Sequence, residues 1–177
     1  VWMWMDGHTA AQAVELARRV EAWGYSALWF PEAVGRDPFA IISWLAAHTG
    51  RLVFATGIAN IYARDAVAMR AAKETVGELS GGRFMLGLGV SHAPLVKDIR
   101  GHAYQKPVST MRNYLESMQN SLYMAPTAES PAPIVLGALR QHMLQLSAEK
   151  ASGAHPYFVP PEHTAWARNI LGPDALL

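Results

Sequence analysis

The amino-acid sequence predicts an α/β fold of the (β/α)8 TIM-barrel type, incomplete, with about six βα units present. Three observations carry that reading. Apolar runs and helical patterns alternate about six times along the chain, and regular alternation implies a parallel sheet with helices outside it. The stretch Leu52–Val90 is a clear strand, crossover helix and strand, and such a connection requires parallel strands because a hairpin cannot join them. No Gly-x-Gly-x-x-Gly follows the first apolar run, which counts against the runner-up, an open doubly wound sheet. A complete barrel takes eight units, so residues 1–177 read as one barrel domain truncated at its C-terminal end.

In order, Val1–Met5 reads as a buried strand. Thr9 then caps a helix with Gln12 at the capping-box spacing. Ala13, Leu16, Val20 and Trp23 form its apolar face, and Gly24 stops it. Ser26–Phe30 is the next strand, ended by Pro31. Asp37-Pro38 opens a helix, with aspartate at the cap and proline in the first turn. Phe39, Ile42, Leu45 and Ala46 face inward. Leu52–Thr56 is a strand that stops at Gly57. Met69, Ala72, Val76 and Leu79 share one face of the long helix after Asp65, with Arg70, Lys73 and Glu74 elsewhere on the turn. Ser80-Gly81-Gly82 ends it, and Phe84–Leu88 is the following strand. Residues 91–106 show no period and read as a long connection. Met111, Leu115, Met118 and Leu122 mark a helix, and Pro126, Pro131 and Pro133 stiffen the connector behind it. Ile134–Gly137 is a short strand, and Leu139, Met143 and Leu146 lie on the helix beyond. Ala154–Val159 reads as a sixth strand. Pro160-Pro161-Glu162 opens the last helix, which ends at Gly172-Pro173.

Composition narrows the class. The chain is 51% hydrophobic and 16% charged, which is globular rather than disordered. A net charge of +1 gives no argument for a nucleic-acid or membrane partner. No apolar run is long enough to span a bilayer. Cysteine is absent, so disulfides, thiolate zinc sites and cysteine nucleophiles are excluded together. No cleavable leader is visible, which makes the cytoplasm the expected location. The seven histidines include no pair at the helical i, i+4 spacing of a zinc motif, so no metal site is expected. The six tryptophans read as core rather than as a cofactor stack.

The segment ATGIANIYARDA followed by GGRFMLGLGVSHAP resembles the luciferase-like monooxygenase superfamily, and most nearly its oxidoreductases that use the deazaflavin coenzyme F420. ALWFPEAVGR at Ala27–Arg36 and GAHPYFVPPEH at Gly153–His163 fit the same group. The resemblance implies a cofactor at the carboxyl ends of the strands, where barrel enzymes carry their chemistry. Glu32 takes the place of an acidic residue beside the ring, and Ala33 stands where relatives often have a histidine. Gly57-Ile58 matches a peptide that in the family is often a non-proline cis bond against the back of the ring. A plain strand-end glycine is the other reading of Gly57.

Gly89-Val90-Ser91-His92 ends the fourth strand. Glycine admits close backbone approach, Ser91 can donate to a ring carbonyl, and His92 can exchange a proton near neutral pH. A solvated loop histidine is the alternative for His92. Gly137-Ala138 leads into a helix whose amino terminus suits a phosphate. Arg140-Gln141 replaces the Gly-Pro common in relatives.

The resulting expectation is an oxidoreductase moving a hydride between F420 and a small organic substrate. His92 and Glu32 are the candidate catalytic groups. Glu32, Gly57, Ile58, Gly89, Val90, Ser91, Gly137 and Ala138 frame the cofactor. An FMN-dependent monooxygenase of the same fold is the alternative, and a non-catalytic or fragmentary relative acting as a binding protein is the rival from another class. Relatives tend to pair through early helices, so a homodimer through the surfaces of Phe39–Ala47 and Val67–Val76 is expected.

Overall fold

The structure, a computed structural model, describes all residues from Val1 to Leu177. Its strands are β1 (Ala27–Phe30), β2 (Val53–Thr56), β3 (Ala59–Asn60), β4 (Phe84–Gly89), β5 (Ile134–Leu136) and β6 (Gly153–Ala154). The helices are α1 (Ala10–Ala22), α2 (Pro38–Ala46), α3 (Ala66–Leu79), α4 (Pro107–Asn120), α5 (Gln141–Lys150) and α6 (Pro161–Leu171). Every strand pairing is parallel, in the order β1-β2-β4-β5-β6, with β3 paired to the outer half of β4. This is the alternating architecture that the sequence predicts. No helix is long and apolar enough to cross a membrane.

Alternation divides the strand residues between two environments. Leu28, Phe30, Phe54, Phe84, Leu86, Leu88, Leu136 and Ala154 join the main core beneath the helices. The other set, including Trp29, Ala55, Met85, Gly87, Val135 and Gly137, therefore faces the barrel interior. The helices form where their caps and apolar stripes allow. Thr9 and Gln12 make the reciprocal capping box of α1, Asp37 accepts from Phe39 N and Ala40 N at 2.9 Å, and Asp65 accepts from Ala68 N at 2.8 Å.

Several expectations need correction. Val1–Met5 is not a regular strand. It runs parallel to β1 through one bridge, Trp2 to Trp29, with Trp29 N donating to Val1 O at 2.8 Å and Met3 N to Trp29 O at 3.0 Å. The sixth strand is only Gly153–Ala154, because Pro156 withholds the next donor that a ladder would need. The outer side of β6 is paired as well, since Leu176 bridges to Gly153 in parallel. The 91–106 connection contains a π-helical turn, Leu95–Ile99. Lys73 is buried and paired with Glu74 at 2.7 Å, whereas Leu79 and Leu122 are exposed at or beyond their helix ends. Leu139 precedes α5 and is exposed. Trp4, Trp23, Trp44 and Trp166 lie at the surface rather than in the core. On α1 and α6 the buried face is filled by smaller residues such as Ala13, Ala17 and Ala167, which leaves Trp23 and Trp166 outside.

One carboxylate ties α1 to the loop before β2. Glu21 accepts from the backbone N–H groups of Gly50, Arg51 and Leu52, the last two at 2.6 and 2.8 Å. The Arg51 N–H bond, ahead of any other influence, holds its pKa below the ordinary carboxylate value. A carboxyl group with a depressed folded-state pKa stabilises the fold above its unfolded pKa, and that contribution is lost as pH falls through the folded value. Glu21→Ala removes these backbone bonds and, since the carboxylate is partly screened by solvent, should lower the melting temperature near neutral pH by roughly 2 °C. Thermal melts of both proteins across acid pH should show the gap closing as the medium becomes more acidic.

Candidate functional site

The site begins with a count of residues. Ala55 pairs with Met85, and Ala59 pairs with Leu88. Four steps on one strand thus face three on its neighbour, so one residue is extra and the strand bulges between β2 and β3. The Gly57–Ile58 peptide within the bulge is cis. Where the ladder is interrupted, the Thr56 hydroxyl replaces it. Its Oγ1 accepts from Gly87 N at 2.9 Å and donates to Gly87 O at 2.8 Å. Gly87 is required here, because a Cβ would lie 2.0 Å from Thr56 O.

The bulge turns Ile58 across the strand ends. A Cβ on Gly89 would meet Ile58 Cδ1 at 2.4 Å, and one on Gly137 would meet Ile58 Cγ2 at 3.2 Å. Behind it, Trp2 Nε1 donates to Gly57 O at 2.8 Å. Gly57, Ile58, Gly89 and Gly137 are therefore brought to one mouth, at the carboxyl ends of β2, β4 and β5. The space that the glycines at 89 and 137 leave is taken by Ile58. Ala138 is buried just beyond.

Glu32 anchors the opposite wall. Its N–H donates to Ile58 O at 3.3 Å. Its carboxylate accepts from Arg64 Nη2 at 2.6 Å, from Arg64 Nη1 at 2.9 Å and from Asn60 N at 2.7 Å. The carboxylate side chain is only 7% exposed, and this two-point fork satisfies it. Arg64 reaches on to Asp37, lies over the Phe39 ring, and has its backbone carbonyl bonded by the Tyr114 hydroxyl at 2.9 Å. Burial opposes the guanidinium charge. The bonds and charges of Glu32 and Asp37 outweigh that, so the Arg64 pKa is raised.

Asn60 completes the bulge. It pairs in register with Gly89 and so faces the same side, toward the mouth. It is fully buried, its Oδ1 accepts from Tyr62 N at 2.9 Å, and its Nδ2 has no partner. A buried unpaired donor is costly.

Beyond β4, Ser91 adopts a left-handed conformation with φ 57°. Its carbonyl accepts from the Tyr104 hydroxyl at 3.4 Å. Tyr62 lies beside both Tyr104 and His102, at centroid distances of 6.2 and 5.9 Å. Burial, helped by Tyr62, raises the Tyr104 pKa. His92 is exposed at the start of this segment. Arg100, after the π-helical turn, donates to Ala33 O at 3.0 Å and ties this connection to the loop after β1. Arg140 and Gln141 sit at the amino end of α5, with no side-chain cap on its free N–H groups.

The sequence pattern of the luciferase-like monooxygenases matches residues 3–171. The chain belongs to the luciferase-like monooxygenase family. Within reach of that family pattern, a protein named as a coenzyme F420-dependent oxidoreductase in Mycobacterium tuberculosis is 30% identical over 149 residues, covering 84% of this chain and 41% of the relative. A 5,10-methylenetetrahydromethanopterin reductase from Methanolobus tindarius is 26% identical, covering 77% of this chain and 47% of the relative. The chain thus spans less than half the length of these curated relatives. In three dimensions it matches the coenzyme F420-dependent tetrahydromethanopterin reductase of Methanopyrus kandleri with a TM-score of 0.78 at 17% identity, over 97% of this chain and 58% of the other. The oxygenating constituent of 3,6-diketocamphane monooxygenase from Pseudomonas putida, in complex with FMN, matches with a TM-score of 0.74 at 12% identity, over 94% and 58%. These likenesses establish the barrel fold.

Sequence reasoning missed Thr56, Asn60 and Arg64, although all three stand inside the segment that carries the family resemblance. The available signal was polarity. A threonine ending an apolar run, an asparagine and an arginine within nine positions cannot all be idle where the strand breaks. In this family member, Arg64→Gln should leave Glu32 buried without its fork and cost about 3 kcal/mol. Glu32→Gln combined with Arg64→Gln should recover part of that loss, as urea denaturation of the single and double variants would measure.

Proposed function

We propose that the chain carries the ring-binding half of an F420-dependent oxidoreductase site that acts on a small organic substrate. The observation that carries the reading is the buried, unpaired Asn60 Nδ2 facing the mouth where Ile58, Gly89 and Gly137 converge. A deazaflavin ring presents carbonyl acceptors of the kind that this donor lacks, so the residues fit the group. The relative named as an F420-dependent oxidoreductase supports the same choice.

When bound, F420 supplies a two-electron hydride donor or acceptor. The chain supplies position. Gly57 and Ile58 form the back wall, and Gly89, Val90 and Ser91 border the ring. Glu32 holds Arg64 and the Asn60 N–H, which keeps the wall rigid; its two oxygens are already engaged, so its part is positioning. His92, exposed beside the mouth, gives or takes the proton that accompanies the hydride. Gly137, Ala138 and the amino end of α5 receive the anionic tail, with Arg140 adding a cation. We place the protein in the cytoplasm, as a homodimer whose contact uses the outer faces of α2 and α3, where Trp44 and Val67 are exposed. Light scattering at micromolar concentration should give twice the chain mass.

The direct test is calorimetric titration with F420 and, separately, with FMN. F420 should bind more tightly than FMN, and Asn60→Ala should weaken it about tenfold, the worth of one desolvated hydrogen bond. Tighter binding of FMN would move the protein to the monooxygenase reading. Failure of both would remove the cofactor reading.

A further inference from the structure

A second unpaired group lies in the barrel interior, at the end of β6. Ala154 pairs with Leu136, and both pack under the helices. Alternation therefore turns the next residue, His155, inward. Its backbone N–H donates to Leu136 O at 2.8 Å, which fixes its level at the strand end. Its ring stacks on Trp29 with centroids 4.4 Å apart and planes 7° from parallel. Trp29 in turn borders the mouth, because a Cβ on Gly57 would lie 3.3 Å from its ring. The neighbouring pair Trp2–Tyr157, with centroids 5.0 Å apart, braces the same segment. The imidazole is thus held in place from both backbone and face.

Neither ring nitrogen bonds a protein group. Nε2 is sealed from solvent without a partner, whereas Nδ1 is not among the sealed atoms. A sealed N–H is costlier than a sealed lone pair, because orphan donors are the rarer defect in folded proteins. The proton therefore sits on Nδ1, and Nε2 keeps its lone pair. A second proton would have to enter at the sealed position, so the ring stays neutral. Burial also pushes the His155 pKa below the ordinary histidine value.

We propose that His155 is a fixed, neutral hydrogen-bond donor in the barrel mouth, its Nδ1–H directed at the carbonyl oxygen of an uncharged ketone or aldehyde substrate. The assignment rests on the oxidoreductase reading and adds a substrate class to it. A carbonyl that receives hydride gains electron density on oxygen, and a preorganised donor stabilises that charge best. A neutral imidazole can serve as such an electrophile. His155 does not act as the base.

The test uses the whole chain with 15N-labelled histidine and two probes of one shape, cyclohexanone and methylenecyclohexane. The Nδ1 resonance of His155 should be protonated and the Nε2 resonance of lone-pair type. Cyclohexanone should shift Nδ1, and the isostere without oxygen should not. His155→Phe keeps a ring on Trp29, so it should melt near the wild-type temperature while binding cyclohexanone about tenfold more weakly. A proton on Nε2, equal response to both probes, or unchanged ketone binding by a folded His155→Phe would each overturn the proposal. F420 and FMN titrations on the same samples separate the two ideas. Discrimination between the probes without binding of either cofactor would sink the oxidoreductase reading and leave the donor role standing.

Discussion

One extra residue between β2 and β3 governs the geometry of the whole mouth. A regular ladder from Ala55 onward would keep β2 beside β4 and point every second residue inward. The bulge breaks that register, swings Ile58 over Gly89 and Gly137, and lets β3 rejoin β4 with Asn60 facing the barrel. The Thr56 hydroxyl makes the break tolerable. It gives Gly87 both the acceptor and the donor that the displaced backbone no longer offers. Without it, two buried backbone groups would lose their partners.

The bulge then has to be held against collapse. Glu32 does this from the loop after β1 by bonding Asn60 N and Arg64 at once. Tyr114 holds the Arg64 and Asp65 carbonyls from α4, and burial raises its pKa far above the ordinary tyrosine value. Elements from three parts of the chain thus meet on one short segment. The Glu32 carboxylate, a catalytic candidate in the sequence, has both oxygens bonded to Arg64 and Asn60, while the Asn60 amide and the nearby Tyr62 hydroxyl are left without partners. Rigid supports around an unsatisfied donor are what a preorganised binding site requires.

Much of this was legible in the sequence. Helix starts followed from Thr9, Asp37-Pro38 and Pro160-Pro161, and the strand sites from short apolar runs bounded by glycine or proline. The parallel order followed from the crossover between Leu52 and Val90. The places of Gly57, Gly89 and Gly137 at strand ends were legible too, whereas the packing of Ile58 over Gly89 and Gly137 was not. Other features depend on partners far apart in the chain. Glu32 and Arg64 are read as a pair only when β1 and the loop after β3 are side by side. The inward turn of His155 depends on the register of β6 against β5. Tryptophan misled because size alone suggests burial, yet alanines on α1 and α6 already fill the buried face. Lys73 misled in the other direction, being neutralised by Glu74 close to the α3–α4 contact.

In the proposed reading, the bulge presents Asn60 and Ile58 to a flat, carbonyl-bearing ring. A crystal structure of the chain grown with F420 tests it most directly. A ring carbonyl should lie within hydrogen-bond distance of Asn60 Nδ2, with the ring resting against the Gly57–Ile58 peptide. A ring bound elsewhere, with Asn60 Nδ2 still unpaired, would contradict it.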